Sequence, residues 1–82
     1  MHFLYLLKSK NYKRTYIGIT ENLEKRLNEH NLGRVTSTRF YKPYEIVHHE
    51  VFATKTEARK REIELKQNSH SKEVLFKSLG MI

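Results

Sequence analysis

Apolar positions along this chain come in short runs whose period changes from segment to segment. His2–Leu7 is apolar and aromatic, with Phe3, Leu4, Tyr5, Leu6 and Leu7 in succession, long enough for one strand. Lys8–Arg14 is polar, with Asn11 marking a turn, and Thr15–Ile19 is again β-prone. Two such runs about a polar turn predict a β-hairpin. The connection is too long for a two-residue turn. The period then shifts: Leu23 and Leu27 stand four apart, with His30 and Asn31 one turn later. Thr20 is in position to act as N-cap, Glu21 falls where the helix dipole favours an acid, and Gly33 suits the left-handed residue that ends a helix. A helix over Glu21–Leu32 follows.

Arg34–Pro43 is rich in Ser, Thr and Arg, holds the single proline and reads as a loop. Tyr44–Phe52 alternates and predicts a third strand, with Ile46, His48 and Glu50 on one side and Val47, His49 and Val51 on the other. Thr54-Lys55-Thr56-Glu57 fits a capping box that opens a helix running to about Gln67. The apolar stripe of that helix, Ala58, Ile63 and Leu65, is weak. Asn68–His70 breaks the pattern. Ser71 can cap a last helix carrying Val74, Leu75, Phe76 and Leu79, with Gly80 at its end. The order is ββαβαα: an α/β fold with a small three-stranded antiparallel sheet flanked by helices.

Eighty-two residues allow one small domain, taken as 1–82. At this size a fold buries only a little over about 60% of its unfolded surface, so the core is thin. Sixteen Lys and Arg against nine acids give a net charge of +7. With no Cys there is no disulfide framework, zinc finger or thiol nucleophile. There is no Asp either, so Asp-built metal clusters and serine triads are excluded. No apolar run approaches the ~20 residues of a membrane span, and the start lacks the basic region and cleavage site of a signal peptide. The expectation is a cytoplasmic protein, monomeric, with a polyanionic partner. No GxxxxGK[ST] or GxGxxG supports a nucleotide cofactor.

Four constellations could carry chemistry, and each has an ordinary role beside it. Tyr5 and Tyr16 lie one on each hairpin strand, where a cross-strand pair commonly serves packing. Arg26 and His30 share a helix face at i and i+4. An anion between them would relieve the repulsion of cation and imidazole; a solvated face is the ordinary reading. Glu62 lies amid Arg59, Lys60, Arg61, Glu64 and Lys66. It is either a surface acid or an inward carboxylate that anchors a hard divalent cation. Finally, Arg34, Arg39 and Lys42 surround Thr36, Ser37 and Thr38, with Phe40, Tyr41 and Tyr44 nearby. That mixture suits phosphate contact and base stacking.

The ordered set resembles the GIY-YIG nuclease superfamily. Tyr16-Ile17-Gly18 matches the second triplet, with Gly18 as its structural glycine, while Phe3-Leu4-Tyr5 keeps only the tyrosine of the first. Asn22–His30 is similar to the family's catalytic helix, with Arg26 and then His30. Thr56–Glu62 resembles the segment carrying the metal-binding glutamate. Ile19 follows the second triplet where some members carry a lysine, and Asn68 lies just beyond the glutamate helix, where several members use an asparagine. The match spans Phe3 to Lys66, and the closest look is to small members related to the nuclease domain of the excision-repair endonuclease's C subunit.

The resemblance implies a metal-dependent DNA endonuclease in repair or recombination. Tyr5, Tyr16, Arg26 and His30 would be catalytic, and Glu62 would hold one Mg²⁺ or Mn²⁺. Arg34, Thr36, Ser37, Arg39 and Lys42 would contact DNA. The sequence leaves open which tyrosine is the general base; Tyr5 is favoured, with His30 as partner. Positive charge from Arg26, the metal and His30 would help a tyrosine ionise. DNA affinity would come from one small basic face, which leaves room for a protein partner that targets it. The alternative is a non-catalytic nucleic-acid-binding module that keeps the fold.

Overall fold

The computed structural model describes residues 1–82. Its elements run β1 (His2–Ser9), β2 (Thr15–Thr20), α1 (Leu23–Asn31), β3 (Tyr44–Phe52), α2 (Lys55–Gln67) and α3 (Ser69–Ser78), with a single 3₁₀ turn at Arg39–Tyr41. The sheet order is β2-β1-β3, antiparallel throughout. This is the expected ββαβαα α/β architecture.

Because side chains alternate along a strand, β1 sends two sets of residues to two different cores. Leu4 and Leu6 join Ile17, Leu65 and Leu75 on the face covered by α2 and α3. Tyr5 and Leu7 join Tyr44 on the other face, with Leu23 and Leu27 of α1 and Tyr16 packed against them. The first core is aliphatic and holds the fold. The second is aromatic and carries the candidate chemistry.

The strand alternation expected for β3 fails at one point. Leu6 pairs with His48 but Leu7 pairs with Ile46, so Val47 is the extra residue of a bulge. Ile46 therefore packs beside Tyr5 and Leu7, while Val47, the next residue, packs beside Leu4 and Leu6. Ile46 and His48 lie on opposite faces as a result.

Two caps also differ from expectation. Thr20 does not cap α1: its hydroxyl accepts from the Asn22 amide, and Asn22 Oδ1 accepts from the Lys25 amide at 3.0 Å. The helix thus begins at Leu23, two residues later than Glu21. The cap of α3 is Asn68, not Ser71; its Oδ1 accepts from the amides of His70 and Ser71. Asn68 also ends α2, so the two helices are separated by one residue. The capping box opens α2 as expected, with the Glu57 amide donating to Thr54 Oγ1. Gly33 and Gly80 follow the ends of α1 and α3 at φ +77° and +72°.

Gly18 is fixed by its cross-strand partner. It sits opposite Tyr5, whose ring crosses over it. A Cβ at Gly18 would lie 2.5 Å from Tyr5 Oη, 2.7 Å from Cζ and 3.1 Å from Tyr16 Cε2. Gly18→Ala is expected to cost about 1–3 kcal/mol by overpacking, read as a lower urea midpoint. An unchanged midpoint would mean that the Tyr5 ring does not lie across Gly18.

Candidate active site

The phenol of Tyr5 is the meeting point of the second core. Tyr5 is 2% exposed. Its oxygen accepts from Arg26 Nε at 3.3 Å and lies 3.0 Å from His30 Nε2. Arg26 and His30 face it together because they stand one turn apart on α1. The phenol oxygen stands between the guanidinium and the imidazole, hydrogen-bonded to both. Glu29 holds the other side of the guanidinium at 3.4 Å.

His30 is fully buried and paired at both nitrogens. Nδ1 lies 2.7 Å from Thr38 Oγ1, and the Thr38 hydroxyl donates to the Val35 carbonyl at 3.4 Å. With its one proton spent on Val35, Thr38 accepts from Nδ1–H. A neutral His30 then turns the lone pair of Nε2 to the Tyr5 hydroxyl. Burial, and then the charge of Arg26, push the His30 pKa down to about 4. His30 is therefore neutral at pH 7 and supplies no standing positive charge to a tyrosinate, contrary to the sequence expectation; it is placed as a proton acceptor. Burial also raises the Tyr5 pKa above its usual value, against the opposing pull of Arg26.

Tyr16 joins this group by ring contact, its centroid 6.3 Å from that of Tyr5 and 5.0 Å from that of His30. Glu62 approaches over the edge strand β2. Its carboxylate pairs with Lys66 at 3.2 Å, and the Lys66 ammonium lies 5.7 Å above the Tyr16 ring. Its charge is felt at the Tyr5 phenol, where it opposes ionisation. The buried stripe of α2 is Ala58, Glu62 and Leu65; Ile63, expected on that stripe, is 42% exposed. Glu62 is only 8% exposed, so the ordinary reading of a surface acid fails.

The residues around Glu62 leave a hard cation a way in. Its oxygens meet only Lys66 and Arg59, at 3.2 and 3.5 Å, and both side chains are about half exposed or more. Water can take these cations back at little cost. No group of three acidic or His side chains that could hold a metal is present, so Glu62 would be a lone protein anchor. An open cleft of about 400 Å³ runs past Thr20, Asn22, Arg26 and Glu29.

Of the expected DNA contacts, Arg34, Thr36, Ser37, Arg39 and Lys42 are all exposed. Lys42 Nζ would lie 3.1 Å from a Cβ at Gly33, and Arg39 Cβ at 3.9 Å, so both side chains converge at the end of α1. Thr38, grouped in the sequence with hydroxyls suited to phosphate contact, instead turns inward and is buried against His30. Asn31 was missed: its side chain accepts from the Tyr44 amide at 2.7 Å and donates to the Tyr44 carbonyl at 3.1 Å, fixing where β3 starts. No spacing rule singles out either residue. Asn68, by contrast, is fully used as a helix cap.

The depressed His30 pKa gives stability a sign with pH. Between about 4 and 6.5 the unfolded chain binds the proton that folded His30 refuses, so stability is full above about 6.5 and falls as pH drops toward 4. The loss is on the order of 3 kcal/mol. Glu50 adds to it at lower pH: burial would raise its pKa, but hydrogen bonds from Arg61 and His48 outweigh burial and lower it. Urea titrations at pH 7, 5.5 and 4.5 should show the decline, and His30→Gln should flatten it. A wild-type stability constant across this range would contradict a neutral His30.

Comparison with known proteins places the chain in a family. The family model of the GIY-YIG catalytic domain matches residues 1–74. The chain is 38% identical to UPF0213 protein SSP2268 of Staphylococcus saprophyticus subsp. saprophyticus over 80 residues, covering 96% of each. It is 40% identical over 76 residues to a UPF0213 protein of Bacillus pumilus, covering 92% of this chain and 76% of that one. The solution NMR structure of UPF0213 protein BH0048 from Bacillus halodurans aligns with a TM-score of 0.56 at 32% identity, over 95% of this chain and 83% of that one. The names of these relatives state no activity. No helix of the chain is long and apolar enough to cross a membrane. With a domain match over most of its length and relatives that align nearly end to end, the chain belongs to the GIY-YIG family, a nuclease-type family.

Proposed function

We propose that this protein is a divalent-metal-dependent DNA endonuclease that hydrolyses phosphodiester bonds, acting in DNA repair or recombination. The observation that carries the reading is the hydrogen-bonded chain Arg26–Tyr5–His30–Thr38, a buried phenol held between a fixed guanidinium and a neutral imidazole. Such a phenol has little use as packing alone, since it leaves three polar groups to be satisfied inside a thin core.

In this reading the neutral Tyr5 oxygen takes a proton from the attacking water while its own proton passes to His30 Nε2. The water oxygen bonds to phosphorus as the P–O3′ bond breaks, and the departing 3′ alkoxide takes a proton from solvent water. His30 is a weak base in the free protein, so the proton transfer is costly until the substrate's negative charge arrives beside it. Arg26 presents its remaining N–H groups to the phosphate and offsets the charge that builds on it. Thr38 keeps His30 in the tautomer that can accept. Tyr16 packs the near wall and orients the phosphate. Glu62 would hold one Mg²⁺ or Mn²⁺ in exchange for Lys66 and Arg59. That ion supplies charge neutralisation on the phosphoryl oxygens.

One observation favours the alternative of a non-catalytic DNA-binding module: both carboxylate oxygens of Glu62 are already matched by cations. Supercoiled-plasmid nicking in Mn²⁺ separates the two readings. Glu62→Gln keeps the shape of the side chain and gives up two partly exposed ion pairs, so it should cost no more than about 1 kcal/mol of stability. It should lower nicking by at least about 10²–10³. Tyr5→Phe should fall at least as far with DNA binding retained. Equal nicking by wild type and Glu62→Gln would remove the metal assignment. No nicking by any of the three, with DNA still bound, would leave the binding module.

A further inference from the structure

We infer that the β1–β2 turn and the loop before β3 together form a stacking platform for unpaired nucleotides, so that the DNA engaged beside the Tyr5 site is single-stranded. This rests on the nuclease reading for its link to catalysis, but the binding itself does not need Tyr5, Arg26, His30 or Glu62.

The two segments meet as one ridge. Ser9 is buried and donates to the Tyr41 carbonyl at 2.6 Å, and it also accepts from the Tyr12 amide. The Lys10 amide donates to the Pro43 carbonyl at 2.9 Å. Tyr12 then stands edge-on to Tyr41, with ring centroids 5.3 Å apart. Arg14 lies 4.6 Å over the Tyr41 ring and donates to its hydroxyl, while Arg39 lies 4.9 Å over Phe40.

The ridge is rich in unpaired cations. Residues 8–14 carry Lys8, Lys10, Lys13 and Arg14, residues 34–42 carry Arg34, Arg39 and Lys42, and neither stretch holds an acid. These seven cations equal the net charge of +7; the other nine cations and nine acids cancel. None of the seven takes part in an ion pair. The nearest acid in register is Glu45, opposite Lys8. A strand of phosphates would find seven cations free of acids on this ridge.

Charge alone would serve duplex and single strand alike; the aromatics decide between them. Phe40 is 71% exposed and Tyr12 53% exposed. They are the two aromatics among the exposed large apolar residues, and both lie on this ridge. Singly exposed apolar residues are common, but these two stand among unpaired cations on a rigid scaffold. Phe40 has no group that can bond a phosphate, and the bases of a duplex are already stacked on one another. A ring face offered between cations is satisfied by a base that is free to stack.

The ridge also borders the candidate site. Tyr41 packs in the same cluster as Tyr5 and Tyr16, and Thr38, the partner of His30, immediately precedes Arg39. Phe40 thus lies on the same short segment as the hydroxyl that holds His30.

The test is fluorescence anisotropy of the full chain in EDTA, with labelled dT20 and a labelled 20-base-pair duplex at matched salt. Wild type should bind dT20 more tightly. Phe40→Ala and Phe40→Leu should weaken dT20 about ten-fold or more and leave the duplex unchanged. Phe40→Tyr should retain dT20 binding, because the ring face remains. Arg39→Gln should weaken both. Thermal melts report that these exposed substitutions leave the fold intact. Equal loss for dT20 and duplex on Phe40→Ala, or none for either, would overturn the platform. So would displacement of dT20 by an oligoglutamate as effective as oligonucleotide, which would mark the ridge as a site for acidic peptides. Failure of the nuclease reading looks different: no nicking in Mn²⁺ while the Phe40-dependent preference for dT20 persists.

Discussion

One phenol oxygen sets the geometry of the candidate site. Tyr5 is on the central strand, so its backbone is fixed on both sides by the sheet, and its ring is pressed across Gly18. That close pass leaves the oxygen one place to be, between Arg26 Nε and His30 Nε2. Helix α1 must then lie at the height and rotation that bring both side chains to the oxygen. The loop after α1 must fold back far enough for Thr38 to reach the far nitrogen of His30. Each of these placements would be costly to leave incomplete, because the groups are buried and every buried side-chain nitrogen and oxygen is in fact paired.

The two faces of the sheet divide the work. The α2/α3 face is aliphatic and tolerant, closed by Leu65 and Leu75. On its flank Arg61 holds Glu50 through two hydrogen bonds of 2.9 and 3.2 Å, tying α2 to β3. The bulge at Val47 lets one strand serve both cores, since Ile46 and Val47 go to opposite sides. The tyrosine face can then accept polar groups without emptying the other core, which matters in a chain this short. Glu62 is the exception that links the faces. It hangs from the helix of the aliphatic side, yet its charge is felt by Tyr5 over the edge of β2.

Much of this was legible in the residues. Strand β3 is bounded as its alternation says, and the capping box of α2 opens at Thr54. The helix starts were misplaced where two capable caps stand close together. Thr20 and Asn22 compete for α1, and Asn wins because the hydroxyl of Thr20 is engaged with Asn22 itself. For α3, Ser71 lost to Asn68, whose one oxygen takes two amides. The bulge left no mark in the sequence, because it swaps two apolar β-branched residues between two apolar surroundings. Glu62 was legible as a candidate only in order with the other landmarks; the local pattern pointed to Ile63 as the inward residue. That a carboxylate occupies the buried stripe while isoleucine is left outside is the kind of local conflict expected at functional positions.

Site and loop also cannot form separately. Four of the fourteen buried residues are polar: Ser9, His30, Thr38 and Glu62. Three of them are satisfied through residues 35–41, since Ser9 donates to the Tyr41 carbonyl, His30 donates to Thr38, and Thr38 donates to Val35. Asn31 clamps the far end of that stretch at Tyr44. Undocking the loop would strand a buried imidazole nitrogen and a buried hydroxyl at once, a penalty of about 1–3 kcal/mol for each. A Ser, Thr and Arg-rich segment with little apolar surface of its own is thereby held in one conformation by hydrogen bonds to the sheet and to α1. The same hydrogen bond that orders the loop fixes which nitrogen of His30 faces Tyr5, so the basic ridge carried by the loop and the hydrogen-bonded Tyr5–His30 pair beneath it are set by a single docking event.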